Sequence, residues 1–236
     1  MSLAERIALV NEKIAAAARQ AGREPSEVTL VAATKVQTSE TIRAAIAAGI
    51  TVCGENRAQE FTQHWQDGAY EGAKVHFIGH LQKNKLKYLV GKVDLIESVD
   101  SEELIRLIDK RAQNLGIVQD ILIEVNIGGE ASKSGVKPEE VEALVALAAS
   151  LPGVEPRGLM AIPPVAQEPG ANRAVFAAMR QLFIDIKGKT YNNKVNIDCL
   201  SMGMSGDFED AIAEGATQVR VGTALFGARP ANRVNG

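Results

Sequence analysis

One lysine, one arginine and two glycine-bearing runs are the residues of this chain whose types and spacing could do covalent chemistry. Lys35 ends the apolar stretch Val28-Thr-Leu-Val-Ala-Ala-Thr34, which reads as a buried β-strand with a helix signal close behind. At the mouth of such a strand low-dielectric walls disfavour the ammonium. The amine is therefore expected to titrate below its ordinary value of about 10.4, toward neutrality, and to be free to attack a carbonyl. A solitary strand-end lysine is more often a solvated edge charge, so its company decides. The run Ser201-Met-Gly-Met-Ser-Gly206 feeds a helix signal beginning near Asp207. Free N–H groups and a positive dipole end at such a place bind phosphate, although the same run alone is also a tight turn with an N-cap. The run Val219-Arg-Val-Gly-Thr223 then puts Gly222 where a backbone could approach a ligand closely, with Thr223 after it and Arg220 two residues before.

These residues need a scaffold that turns them toward one opening. Apolar runs expected to be strands fall at residues 28–34, 51–54, 74–79, 95–99, 120–127, 157–162, 196–202 and 218–225. Most are continuous rather than alternating, as in strands covered on both faces. Helical patterns lie between them at 39–48, 58–65, 83–90, 102–115, 138–151, 173–186 and 207–214; in the fifth, Val141, Leu144, Val145, Ala148 and Leu151 share a face. About eight βα units in series predict a single (β/α)8 TIM barrel over residues 1–236, with a doubly wound open sheet as the alternative. An additional amphipathic helix, carrying Leu3, Ile7, Val10 and Ile14, precedes the first strand and is expected to cover the gap left by a short or missing last helix. In a barrel, strand C-termini form the site. That gathers Lys35, Asn56, His80, Asn126, Met160, the run 201–206, Arg220, Gly222 and Thr223 at one end.

Bulk properties narrow the function classes. Of 236 residues 46% are hydrophobic but only 4% aromatic, so the core is one of Ala, Val, Ile and Leu. A net charge of -3 argues against a polyanion or membrane-surface partner. The lysines at 83, 85 and 87 are read as a solvated helix face rather than a nucleic-acid patch, and Trp65 as a packing residue. Cys53 and Cys199 form no C-x-x-C, and His76 and His80, about 13 Å apart along a strand, are not expected to share a metal. With no apolar leader and no membrane-length run, the expectation is a cytoplasmic protein.

A lysine that can form an imine and a cradle for phosphate together ask for an aldehyde-bearing phosphate, and pyridoxal 5'-phosphate fits. Arg220 would face its ring nitrogen and, as a permanent cation, keep that nitrogen unprotonated and the ring a weak electron sink. The motifs Val31-Ala-Ala-Thr-Lys35, Gly54-Glu-Asn56, His76-Phe-Ile-Gly79, Leu81-Gln-Lys-Asn-Lys85, Asn126 with Ser132-Lys-Ser-Gly135, Gly158-Leu-Met-Ala-Ile-Pro163, Leu200-Ser-Met-Gly-Met-Ser205 and Val219-Arg-Val-Gly-Thr-Ala-Leu-Phe-Gly227 follow in one order. In these the chain resembles, nearly end to end, the YggS/PROSC family of pyridoxal phosphate homeostasis proteins.

The resemblance implies a barrel similar to the N-terminal domain of alanine racemase, with the cofactor held on Lys35 as a Schiff base. It implies Ser201, Ser205, Gly222 and Thr223 around the phosphate, Arg220 at the ring nitrogen, and Asn56 and Met204 beside the ring. Racemases of this kind add a C-terminal β-domain that brings a tyrosine as second acid/base, for which the sequence to Gly236 leaves no residues. After Lys35 stands Val36-Gln-Thr-Ser39, where racemases have Ala-Tyr-Gly-His. The expected role is cofactor homeostasis and carriage, acting indirectly on amino-acid metabolism, without robust catalysis. Apo enzymes that use the cofactor would be recipients, and the protein a monomer. The alternatives are a weak pyridoxal-phosphate-dependent racemase, a cofactor-free lysine aldolase and a purely protein-binding role.

Overall fold

The computed structural model describes residues 1–129, 134–164, 168, 170–189 and 195–227. Eight parallel strands close into a barrel in sequence order: β1 (Thr29–Ala33), β2 (Val52–Glu55), β3 (Lys74–Phe77), β4 (Leu95–Val99), β5 (Gln119–Glu124), β6 (Val154–Met160), β7 (Cys199–Ser201) and β8 (Gln218–Val221). The seam is made where Val31 lies opposite Arg220. Outside run α1 (Leu3–Gln20), α2 (Ser39–Ala47), α3 (Ala58–Gln66), α4 (Leu86–Leu89), α5 (Glu102–Leu115), α6 (Val141–Ser150), α7 (Arg173–Lys187), α8 (Phe208–Ala213) and α9 (Thr223–Phe226). The TIM barrel expected from the sequence is the fold observed. No helix among the described residues is long and apolar enough to cross a membrane.

Local chemistry sets the helix ends. Ser2 and Glu5 form a reciprocal capping box on α1, Ser101 accepts from the Leu104 N–H at the start of α5, and Gly116 ends that helix at φ 67. Helix α1 packs against α2, α8 and α9, and the Arg6 guanidinium donates to the Leu225 carbonyl. It therefore closes the helical layer over the β8–β1 seam, as expected.

Several strand ends depart from the sequence reading, that of the eighth most of all. Residues 223–225 were expected to continue the eighth strand, yet with Phe226 they form α9. The hydroxyl of Ser205 takes the N–H groups of Gly222 (3.1 Å) and Ala224 (3.2 Å), and Leu225 N–H turns back to the Gly222 carbonyl. Leu225 is buried all the same, so an apolar run is used up by a helical turn beneath α1. In the sixth strand Glu155 and Pro156 hid an earlier start, at Val154.

Alternation along the strands separates two apolar regions. One side chain set, including Ala32, Cys53, Ile96, Ile121, Leu159 and Val219, joins the large core between strands and helices. The alternate set faces the lumen in two small groups, Val31, Ala33, Val52 and Ile78 on one side and Leu95, Leu122 and Met160 on the other. The lumen also holds buried polar side chains, among them His76, Glu97, Ser201, Gln218 and Arg220.

Candidate functional site

Lys35 stands one residue past the buried Thr34, in the first turn after β1, and is half-buried. Its backbone is held on both sides. Thr34 N–H bonds the Gly54 carbonyl at 2.9 Å, its hydroxyl donates to Glu55 Oε1 at 2.6 Å, and Gln37 N–H closes the turn onto the Thr34 carbonyl. The next residue, Val36, sits at φ 59, a left-handed conformation that a β-branched residue adopts only under strain. Its N–H donates to Glu60 Oε2 at 2.9 Å, which helps hold it there.

Asn56 follows β2 on the same rim. A Cβ on Gly79 would come within 2.1 Å of the Asn56 carbonyl oxygen, so this approach of two loops admits only glycine. The Oδ1 of Asn56 is buried and has no hydrogen-bond partner among the described residues. An acceptor hidden from water without a donor costs about 1–3 kcal/mol, and a ligand carrying a hydroxyl or N–H would satisfy it.

Next to β1 around the barrel, β8 and its neighbour β7 bring Arg220 and Ser201 together. Ser201 is 0% exposed and Arg220 4%. Arg220 donates from Nη2 to the Ala161 carbonyl at 2.8 Å and from Nη1 to Ser201 Oγ at 2.5 Å. The Ser201 hydroxyl donates to Glu97 Oε2 at 2.6 Å and also accepts from Gln218 Nε2 at 3.0 Å. A hydroxyl has one donor and two acceptor sites, so that of Ser201 is fully engaged beneath the mouth, holding Arg220. Burial pulls the guanidinium pKa down while Glu97 and Glu124 push it back; it remains a cation. Burial alone would raise the Glu97 carboxyl, but hydrogen bonds and charge from His76, then Arg220 and Ser201, hold it below the ordinary carboxylate range.

The rim above is formed by the residues from Gly203 to Asp207 and from Gly222 to Ala224. Gly203 lies at φ 92, and a Cβ there would meet Ala211 Cβ at 2.5 Å; its carbonyl accepts Arg220 N–H at 3.0 Å. Asp207 ties the loop down, accepting Met204 N–H at 2.7 Å on one oxygen and Asn172 Nδ2 at 2.7 Å on the other. Met204, Ser205 and Gly222 are half-buried and Thr223 is exposed. His80 is exposed and 3.4 Å from Ser134 Oγ, while Met160 is buried in the lumen. Ser132 and Lys133 of the 132–135 motif, and residues 165–167 and 169 of the proline-rich loop, lie outside the described residues.

Three residues of the barrel interior escaped the sequence reading: Glu97, Gln218 and Glu124. Glu124 ends β5 and is buried; burial, with the Asp100 charge added and Arg220 opposing, pushes its carboxyl up to about 7. Their only signal was a polar residue within an apolar run, at the parity that faces inward. The cavity of about 710 Å³ is not at this end. It opens at the barrel floor, among Thr29, Lys74, His76, Asp94, Asp120 and Arg157. The mouth nevertheless carries the amine, the orphaned acceptor and the buried cation, a set that fits an aldehyde-bearing phosphate.

Comparison with known proteins places the chain in a family. The profile of the family described as alanine racemase, N-terminal domain, matches residues 10–230. A pyridoxal phosphate homeostasis protein of Aquifex aeolicus is 46% identical over 229 residues, covering 97% of this chain and 99% of its own. Among solved structures, a protein of unknown function from Bifidobacterium adolescentis is 40% identical with a TM-score of 0.86, over 95% of this chain and 94% of its own. PipY of Synechococcus elongatus, solved with PLP bound, is 33% identical with a TM-score of 0.82, over 96% of this chain and 100% of its own.

Proposed function

The chain belongs to the alanine racemase N-terminal domain family and, within it, to the pyridoxal phosphate homeostasis proteins, and from that premise we propose that it binds pyridoxal 5'-phosphate at the barrel mouth to hold, buffer and release it. Lys35 Nζ takes the aldehyde carbon as a Schiff base, with one water released. Arg220 faces the ring nitrogen; Ser201, expected at the phosphate, has its hydroxyl taken up by Glu97, Gln218 and Arg220 and instead fixes Arg220 from below. Asn56 and Met204 flank the ring, while Ser205, Gly222 and Thr223 surround the phosphate. When bound, the cofactor supplies an electrophilic carbon and an electron-withdrawing ring. What supports this proposal is the strained turn at Val36 beside Lys35, at the end of β1, together with the buried Arg220 on the neighbouring strand β8.

A protein that carries a reactive aldehyde needs to hold it without spending it. Arg220 keeps the ring a weak electron sink, which favours retention over turnover. Apo enzymes would receive the cofactor, with indirect consequences for amino-acid metabolism. The whole of residues 1–236 acts as one domain, monomeric and cytoplasmic. A second role, slow exchange of an amino-acid α-proton as in a weak racemase, draws support from Glu124, whose carboxyl near 7 is in the range of a general acid or base.

Borohydride reduction of the cofactor-loaded protein followed by peptide mass spectrometry tests the first role. A phosphopyridoxyl group on Lys35, lost in a folded Lys35→Ala variant, is the expected result. An unmodified Lys35 after loading would sink it. Deuterium uptake at the α-carbon of amino acids, reduced in Glu124→Gln, would reveal the second role.

A further inference from the structure

A polar column crosses the lumen from floor to mouth. At its foot His76 lines the floor cavity. Its Nδ1 meets Glu97 Oε1 at 2.9 Å. Glu97 is 0% exposed. Its Oε1 also accepts from Gln218 Nε2 at 2.6 Å, and its Oε2 accepts from Ser201 Oγ. Ser201 Oγ in turn receives Arg220 Nη1, which lies 3.9 Å from Glu97 Oε2. Because the serine proton points to Glu97, its lone pairs are turned toward Arg220 and Gln218. The carboxylate thus fixes both the orientation of the hydroxyl and the seat of the guanidinium.

A buried guanidinium cannot discharge itself, so it needs a countercharge at hand. Glu97 is that charge. Other ionisable groups near the column are Glu124 on β5, Asp207 at the head of α8, whose charge also acts on Arg220, the Cys199 thiol on β7, which burial keeps protonated, and those sharing the cavity with His76. Of the latter, Arg157 is committed to Asp120 at 2.9 Å and Asp198 at 2.6 Å, and Asp94 accepts the Val75 N–H; Lys74 completes the set.

We propose that Glu97, held by His76, is the positioning residue for Arg220, fixing the place and balancing the charge of the guanidinium so that the ring environment of the cofactor is set from the floor side of the barrel. This rests on the proposed binding of the cofactor at Lys35 with Arg220 at its ring nitrogen. A merely structural Glu97 would alter stability and leave the spectrum of the bound cofactor alone. A positioning Glu97 alters both.

The test is a pH titration of the visible absorption band of the full-length protein loaded with pyridoxal phosphate, for the parent, Glu97→Gln, His76→Phe and His76→Asn. Loss of the carboxylate leaves Arg220 unbalanced and disfavours a proton on the Lys35 Schiff base. The midpoint in Glu97→Gln is therefore expected to fall by about one pH unit, the effect of a unit charge at roughly 10 Å and an effective dielectric near 20. His76→Phe removes the hydrogen bond to Glu97 and should shift the midpoint as well, while His76→Asn, which restores an N–H donor, should return it toward the parent. Coincident midpoints in all four proteins, with Lys35 still tagged by borohydride, would overturn the role of Glu97 and leave cofactor binding standing. Should Glu97→Gln not fold, the histidine pair decides: rescue by Asn upholds the role, and identical behaviour of Asn and Phe refutes it. No tag on Lys35 in the parent removes the binding itself, and this role with it.

Discussion

Among the described residues two glutamate–histidine pairs are buried, and they differ in what else they must hold. Glu55 and His64, 3.2 Å apart, sit between β2 and α3, with Tyr70 donating to Glu55 at 2.9 Å and Thr34 at 2.6 Å. Glu97 and His76, 2.9 Å apart, sit in the lumen beneath Arg220. In the outer pair every partner of the carboxylate can be neutral, because a histidine can shed its proton. The inner pair faces a guanidinium that cannot. The outer pair is anchored next to Thr34 and so steadies the turn that carries Lys35; the inner pair steadies the cation on the neighbouring strand β8. Similar residues thus serve the two sides of one site by different physics, packing and hydrogen bonds on one and charge compensation on the other.

The contrast is sharpest under isosteric neutralisation, which changes charge and little volume. In cofactor-free protein, urea unfolding of Glu97→Gln should show a loss of about 3–5 kcal/mol, the cost of stranding a buried charge. Glu55→Gln should lose about 1–3 kcal/mol, the cost of hydrogen bonds left imperfect in a buried place. Equal losses would break the comparison. A smaller change is expected for Tyr70→Phe, which takes one donor from Glu55 and should cost about 0.5–1.5 kcal/mol; a loss as large as that of Glu97→Gln would mean the outer pair is charge-critical after all.

Neither pair could be read from the sequence, although the barrel could. Long apolar runs separated by helical periods reveal buried parallel strands because burial on both faces erases polar positions. For the same reason Lys35 was conspicuous, a charge at the end of the run 28–34. Glu97 lies within the predicted strand 95–99, but its meaning depends on which strands stand across the lumen, and that is a product of closure. The strain at Val36 is equally silent, since nothing in the type of a valine announces a positive φ. The last strand was misread because Ala224 and Leu225 are apolar in either conformation, and the deciding contact comes from Ser205, seventeen or more positions away.

The smallest effect is also the one that separates the pairs by sign. The hydrogen bond to Glu55, opposed by burial and aided by the charge of Glu55, raises the His64 pKa. A group raised on folding contributes stability that is complete below its unfolded value, about 6.5, and is lost as pH rises through the folded value. The stability gap between the parent and Glu55→Gln should therefore narrow as pH increases from about 6.5. Glu97 is shifted downward, so its contribution is present above the unfolded value of about 4.3 and is lost as pH falls through the folded one. The gap between the parent and Glu97→Gln should hold steady through neutrality and narrow only in acid. Urea midpoints taken across this range would show two gaps closing at opposite ends. If both closed in acid, His64 would be a neutral hydrogen-bonding partner and not a charged one, and the two pairs would differ only in the presence of Arg220.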